Sequence, residues 1–264
     1  MSYQPVIPMG GAAGWAFLQR TRVAQQAAFN ASPAIQRDTQ YFEEKIGAVQ
    51  TSKDLISDHR LMRVALGAYG LDDDINNTYF IKKVLDDGTL DTGDLANKLS
   101  DKRYLEFAKD FGFGDYDIPR TQISDFGSRI ADAYRQKQFE TAVGEQDANM
   151  RLAMTLDHQL SDIVNGSGSD DTKWFKIMGN PPLREVFQTA FGLPSAFGTV
   201  DIDQQLETFR DKADQYLGGS TVDQFADQGK VDELNRLFLV RSQIASGTAS
   251  MSSGAIALSL LQTI

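Results

Sequence analysis

The segment Ser52-Lys53-Asp54-Leu55-Ile56-Ser57-Asp58-His59-Arg60-Leu61-Met62-Arg63-Val64-Ala65-Leu66-Gly67-Ala68-Tyr69-Gly70 reads as one amphipathic helix. Leu55, His59, Met62, Leu66 and Tyr69 fall on one stripe at three- and four-residue spacing. Ser52 and Asp54 supply start signals and Gly70 a stop signal, so a helix is predicted over residues 52–69. The same signals recur on both sides. They predict helices at 38–50, 75–86, 91–99, 101–111, 120–142, 146–165, 171–178, 182–191, 201–217, 221–227 and 229–245. The separating turns carry glycine or capping residues, such as Asp87-Gly88-Thr89 and Gly179-Asn180-Pro181-Pro182. Sustained two-residue alternation, the mark of a strand, is lacking, so the fold class is all-α with a multi-helix globular body.

Charge divides the chain. Residues 1–36 contain no acid and only Arg20 and Arg22, and residues 242–264 contain no charged side chain. Residues 37–241 therefore hold all 36 acids and 24 of the 26 bases, a net charge of -12. The sequence reads as an uncharged N-terminal tail at 1–37, a helical body at 38–245 and a Ser/Ala-rich C-terminal tail at 246–264. The glycine/serine run at 165–170 marks a candidate subdivision of the body. An overall charge of -10 and a pI near 4.7 disfavour nucleic acid and anionic membrane surfaces as partners, since both demand clustered cations. Met1 to Gly14 lacks the basic start and apolar stretch of a Sec signal peptide, and no segment has the length of a membrane span, so neither export by that route nor membrane insertion is expected. Zero cysteines exclude disulfides, thiolate metal sites and cysteine nucleophiles.

The residue types that carry chemistry are sparse. His59 and His158 each stand on a predicted helix with only a sequence-adjacent aspartate, which points to a different face. Asp72, Asp74 and Asn76 match the opening of a calcium loop, but Asn77 stands where glycine is needed and Lys83 where a bidentate Glu should close it. Asp86-Asp87-Gly88-Thr89 with Asp91 and Asp94 also lacks the closing Glu. There is no Gly-x-Ser-x-Gly elbow and no glycine-rich phosphate loop; Phe111-Gly112-Phe113-Gly114 reads as a helix exit. No catalytic residue, metal ligand or cofactor site is assigned, and the expected function is non-enzymatic.

One internal echo has two readings. Leu61 to Leu71 aligns without gaps on Leu183 to Leu193, with five identities and Tyr69 opposite Phe191. It is either a repeated stop device, with glycine in the left-handed position after an inward aromatic, or the trace of a duplication that produced two similar helical halves.

Tyr41-Phe42-Glu43-Glu44-Lys45-Ile46, Asp54 to Leu61, Ala65 to Leu71, Leu95 to Tyr104, Asn180 to Phe187 and Gly192-Leu193-Pro194 together resemble a bacterial family known as domain of unknown function 1217. The resemblance spans roughly residues 38–245. It implies a helical fold and no defined site residues. Some members carry a flagellar label, which implies a flagellum-associated or cytoplasmic location and flagellar proteins, or a second copy of the chain, as partners. The ends have two readings: flagellar axial proteins resemble one another in having uncharged Ser/Ala/Gln-rich ends that order on assembly, or both ends dock on the body as ordinary terminal helices, the first through a weak stripe of Phe17, Thr21, Ala24 and Ala28 with Trp15, Leu18 and Phe29 nearby. Ala257, Leu260, Leu261 and Ile264 follow the i, i+3, i+4, i+7 pattern of one apolar helix face and are the candidate interaction residues. The function expected is a structural, interaction or export component of the flagellar system. The alternative is a helical enzyme or ligand-binding protein of unknown substrate.

Overall fold

The computed structural model describes residues 3–245. Among them are thirteen α-helices and no strand: α1 (Gly11–Asn30), α2 (Pro33–Lys45), α3 (Ser52–Ser57), α4 (His59–Ala68), α5 (Thr78–Asp87), α6 (Leu95–Lys98), α7 (Arg103–Phe111), α8 (Phe126–Gly144), α9 (Ala148–Asn165), α10 (Asp170–Met178), α11 (Pro181–Phe191), α12 (Ile202–Leu217) and α13 (Gln228–Ala245). Short 3₁₀ turns fill Asp72–Asn76, Arg120–Gln122, Ser195–Thr199 and Val222–Ala226. The chain forms two compact units, one from residues 3–6 with Leu18–Gln146, the other from Ile7–Phe17 with the described residues from Asp147 onward. The boundary is thus at Gln146/Asp147, where Asp147 caps α9 by accepting from the amides of Asn149 and Met150. The glycine/serine run at 165–170 is an internal turn of the second unit.

Several elements differ from the sequence reading, each for a local reason. The helix predicted over 52–69 is two helices. Asp58 adopts an extended backbone, and its Oδ1 accepts from the amides of Arg60 (2.9 Å) and Leu61 (3.1 Å), so it caps α4 instead of continuing α3. His59, placed by periodicity on the apolar stripe, is consequently exposed. The true cap of α3 is Thr51, in a reciprocal box with Asp54. Residues 3–37, read from composition as a tail, are helical from Gly11, and Trp15, Leu18 and Phe29 are buried. Their Ala- and Gln-rich composition favours helix, and burial of these three side chains supplies the packing that composition does not reveal. The predicted helices 91–99 and 221–227 shrink to α6 and a 3₁₀ turn, and 120–142 becomes a turn followed by α8.

In the first unit α2, α4 and α8 pack on one another, with α3 beside α4 and α5. Phe42, Leu55, Val64, Leu66 and Phe139 are fully or almost fully buried there. In the second unit α9, α11 and α13 form the corresponding trio, with α10 against α11 and α12. Its centre is aromatic: Trp174, Phe187, Phe191 and Phe209 interlock at centroid distances of 5.6–6.2 Å, and the Trp174 indole N–H donates to the Ser220 carbonyl (3.1 Å).

The two units share an order of elements. Apart from a 3₁₀ turn at Ile46–Ala48 that the second unit lacks, helices α2, α3, α4, a 3₁₀ turn, α5, a 3₁₀ turn and α8 correspond to α9, α10, α11, a 3₁₀ turn, α12, a 3₁₀ turn and α13. The echo seen in sequence lies at the same place in both. Gly70 and Gly192 each have φ of 67°, and the amides of Leu71 and Leu193 reach back to the carbonyls of Leu66 (3.0 Å) and Gln188 (2.8 Å). At the other end of the aligned helices Asp58 corresponds to Asn180, which caps α11 by accepting from the Leu183 amide (3.2 Å). A shared stop device explains the glycines alone; the shared cap, element order and packing trio favour the duplication reading. The main departure lies between α5 and the following 3₁₀ turn. There the first unit contains an insertion, residues 88–119 with α6 and α7, where the second has only the short turn 218–221. The insertion has its own small core of Ala96 and Ala108 against Val84 of α5, flanked by Phe80, Leu95, Leu99 and Tyr104.

Candidate functional site

The end of the insertion builds a fixed loop with an apolar outer face. Helix α7 stops at Gly112, whose φ of 67° is open to glycine, and a Cβ there would lie 2.8 Å from the Tyr116 ring. The amides of Asp115 (3.3 Å) and Tyr116 (3.1 Å) donate to the Gly112 carbonyl. The Asp115 carboxylate accepts from the Thr89 amide (2.6 Å) and hydroxyl (2.7 Å), which ties the far end of the insertion to its start. Gly114 lies so close to the backbone of Asp86 and Gly88 that a Cβ would collide with it. Further along, the buried Thr121 hydroxyl donates to the Val49 carbonyl (2.7 Å). Phe111 and Phe126, both buried, meet edge-on at 5.0 Å where the loop leaves α7 and enters α8.

With these groups turned inward, the remaining ones face out. Ile118 is 71% exposed, Ile123 54% and Tyr116 44%. The Arg120 guanidinium lies 5.1 Å from the centre of the Tyr116 ring and donates to its hydroxyl (3.1 Å), which holds the ring in place. Tyr116, Ile118, Pro119, Arg120, Gln122 and Ile123 line an open trough of about 680 Å³. Asp117 and Asp125 are exposed in the same stretch of chain. A surface of this kind can bury aliphatic side chains, each contributing on the order of 1.5–3 kcal/mol when fully covered, and its anchors limit the ordering cost on binding.

A second concavity of the first unit, about 410 Å³, is lined in part by Tyr3, Phe29, Gln138, Thr141, Glu145 and Gln146. Beside it the N-terminal segment is held by amide side chains. Gln25 Oε1 accepts from the Val6 amide (2.6 Å), Gln25 Nε2 donates to the Val6 carbonyl (3.1 Å), and Gln146 Nε2 donates to the Pro5 carbonyl.

The titratable groups noted in the sequence have local roles. His59 is exposed at the start of α4, and His158 Nδ1 lies 3.0 Å from the Met154 carbonyl one turn earlier in α9. Among the described residues no three acidic or histidine side chains are placed to hold a metal ion. The carboxylates of the calcium-like runs are engaged within the fold: Asp72 by Gln138, Asp74 by Tyr104 and Asn77, Asp91 by the Gly93 amide and Asp94 by the Asp91 amide. Tyr69 donates to Asp110 (2.6 Å), which also pairs with Arg129 (3.0 Å); burial, then the Asp110 carboxylate, pushes the Tyr69 phenol well above its usual range, so it stays a donor. Ala257, Leu260, Leu261 and Ile264 lie outside the described residues. Sequence reading passed over Tyr116, Ile118 and Ile123. The signal for them was Ile118 and Ile123 standing without helical or strand periodicity in the polar run Asp115 to Asp125.

A family model described as Protein of unknown function (DUF1217) matches residues 68–231. The chain belongs to this family. The DUF1217 match starts at the last residue of α4 and ends early in α13, so it takes in parts of both units and the whole insertion. A crystal structure of an Agrobacterium tumefaciens protein from a structural genomics consortium is similar, with a TM-score of 0.71 and 25% identity, over 92% of this chain and 99% of that one. No curated protein matches the chain. Among the described residues no helix is long and apolar enough to cross a membrane.

Proposed function

We propose that this DUF1217 protein is a non-enzymatic, protein-binding structural component of the bacterial flagellar system, and that the trough at Tyr116 to Ile123 is its contact surface. The observation that supports the binding reading is the fixed loop: Ile118 and Ile123 point outward at 71% and 54% exposure while Thr121 and Asp115 anchor the same loop inward. Exposed aliphatic side chains on a braced backbone are a feature of interaction sites. The flagellar setting rests on the labels that some family members carry. The test is deletion of the gene in a flagellated host, followed by complementation with the wild type or with Ile118→Asp/Ile123→Asp. Deletion should abolish swimming, the wild type should restore it, and the double variant, folded by circular dichroism, should not. Unchanged swimming after deletion overturns the flagellar setting; full rescue by the double variant overturns the trough.

A second reading, ligand binding, is favoured by the 410 Å³ concavity with its aromatic wall at Phe29 and its amide and carboxylate groups at Gln138, Gln146 and Glu145. A small uncharged or cationic molecule suits that lining. A screen of such compounds by thermal shift, repeated with Thr141→Trp to fill the space, checks it.

A further inference from the structure

We infer that the occupant of the Tyr116–Ile123 trough is the C-terminal stripe of a second copy of the chain, Ala257, Leu260, Leu261 and Ile264, in a head-to-tail contact. The inference rests on the reading of the trough as a contact surface and names its partner. Three observations select the stripe. The trough is lined by Tyr116, Ile118, Pro119 and Ile123 with Arg120 and Gln122, on a body whose residues 37–241 carry a net charge of -12. A second body approaching face to face brings like charge to like charge, whereas residues 242–264 bring none. The stripe also supplies what the trough lacks. Leu260, Leu261 and Ile264 have the sequence spacing of one apolar helix face, and a helix of this length is marginal in water unless an apolar surface receives it. Finally, residues 246–256 separate Ala245 from Ala257, and when fully extended they span at most about 40 Å, a tether long enough for the stripe to meet a neighbouring copy.

Trough and stripe are different surfaces, so the contact is heterologous: every copy offers one of each, and the contact propagates into chains or rings instead of stopping at a dimer. The second unit has only the short turn 218–221 where the first has the insertion, so each copy presents one trough of this construction.

The test is sedimentation velocity of the full chain over a range of concentrations. The wild type should form a concentration-dependent series of species. Ile118→Asp/Ile123→Asp and Leu260→Ser/Leu261→Ser, each alone, should weaken self-association by roughly tenfold or more. An equimolar mixture of the two variants should recover one contact and stop at a heterodimer, because one intact trough meets one intact stripe. A mixture that stays monomeric overturns the inference, as does a stripe variant that still associates like the wild type. If the wild type itself is monomeric at all concentrations while the trough variant still loses swimming, the second-copy assignment fails and the contact-surface reading survives. If the stripe variant is monomeric but both variants lower the melting temperature of the monomer, the stripe docks within its own chain and the inference also fails.

Discussion

Replacing Asp58 tests the helix break and the equivalence of the two units in one experiment. Asp58 Oδ1 accepts from two α4 amides, Arg60 (2.9 Å) and Leu61 (3.1 Å), and Oδ2 accepts from the Tyr41 hydroxyl (2.6 Å). Asp58→Ala removes all three bonds. Loss of an N-cap costs about 1 kcal/mol, and loss of a hydrogen bond to a charged group about another 1.5, discounted because the site is partly exposed, so a fall in unfolding free energy of about 2 kcal/mol is expected. Asp58→Asn introduces the residue type that holds the equivalent place at Asn180 and keeps a side-chain oxygen for the amides, so it should cost less than about 1 kcal/mol at neutral pH. The pH dependence follows from the carboxyl. Partial burial works against its charge, but the Tyr41 hydroxyl, the Leu61 and Arg60 amides and the Arg60 guanidinium outweigh that and hold its pKa below the usual range. A depressed folded pKa stabilises above the ordinary carboxylate value of about 4, and this stabilisation is lost as pH falls through the folded value. The gap between wild type and Asp58→Asn should therefore be largest near neutrality and close in acid. Urea unfolding at pH 7 and at pH 3, followed by circular dichroism, measures both quantities. If Asp58→Asn costs as much as Asp58→Ala at both values, capping is not the source of the stability and the cap equivalence with Asn180 loses its energetic support.

Gly218 and Gly192 both have positive φ, 76° and 67°, but a Cβ on Gly218 meets nothing within 4 Å while one on Gly192 lies 2.5 Å from Arg241 Nη1. Gly218→Ala should cost about 1 kcal/mol, and Gly192→Ala more, because it also displaces Arg241 from the Tyr216 ring it covers at 4.7 Å; thermal melts of the two variants decide this. Trp174→Phe should lower stability by about 1–3 kcal/mol, since it leaves the Ser220 carbonyl unpaired and a gap beside Phe187 and Phe209, and chemical denaturation reads the loss. Asp115→Ala should lower stability by about 1–3 kcal/mol and release the loop from Thr89, so that trypsin cuts after Arg120 several-fold faster than in the wild type.

The helical class was legible because apolar spacing and capping residues agree over most of the body, and in the stop at Gly70 and Gly192 even the backbone geometry could be read from glycine after an aromatic. The break at Asp58 was not. The apolar stripe runs on through it, and only the competition of the Asp58 side chain for the α4 amides, which depends on Tyr41 being there to take the other oxygen, interrupts the helix. Helix α1 was legible only in part: with Arg20 and Arg22 as its sole charges it shows little contrast between faces beyond a weak stripe at Phe17, Thr21, Ala24 and Ala28, and its order depends on the burial of Trp15, Leu18 and Phe29. The trough lay outside any local pattern. Whether Ile118 or Thr121 faces outward is set by contacts of the loop with Val49 and Thr89, distant in sequence, and no periodicity records that choice.

The unequal lengths of the two matching connections bear on how the protein can be rebuilt. The first unit carries residues 88–119 between α5 and its following turn without losing the α2, α4 and α8 trio, so the framework tolerates a large excursion at that joint. The joint at 218–221 is the same place in the second unit, with Gly218 already in a conformation that opens outward and no atom within 4 Å of where its side chain would stand. Since the entropic cost of a longer loop grows only by about 0.6 kcal/mol for each doubling, the junction after Gly218 forms a graft point, where an epitope tag, a fluorophore-binding peptide or a copy of the first unit's own insertion can be spliced in with Ser220 left in place to accept from Trp174.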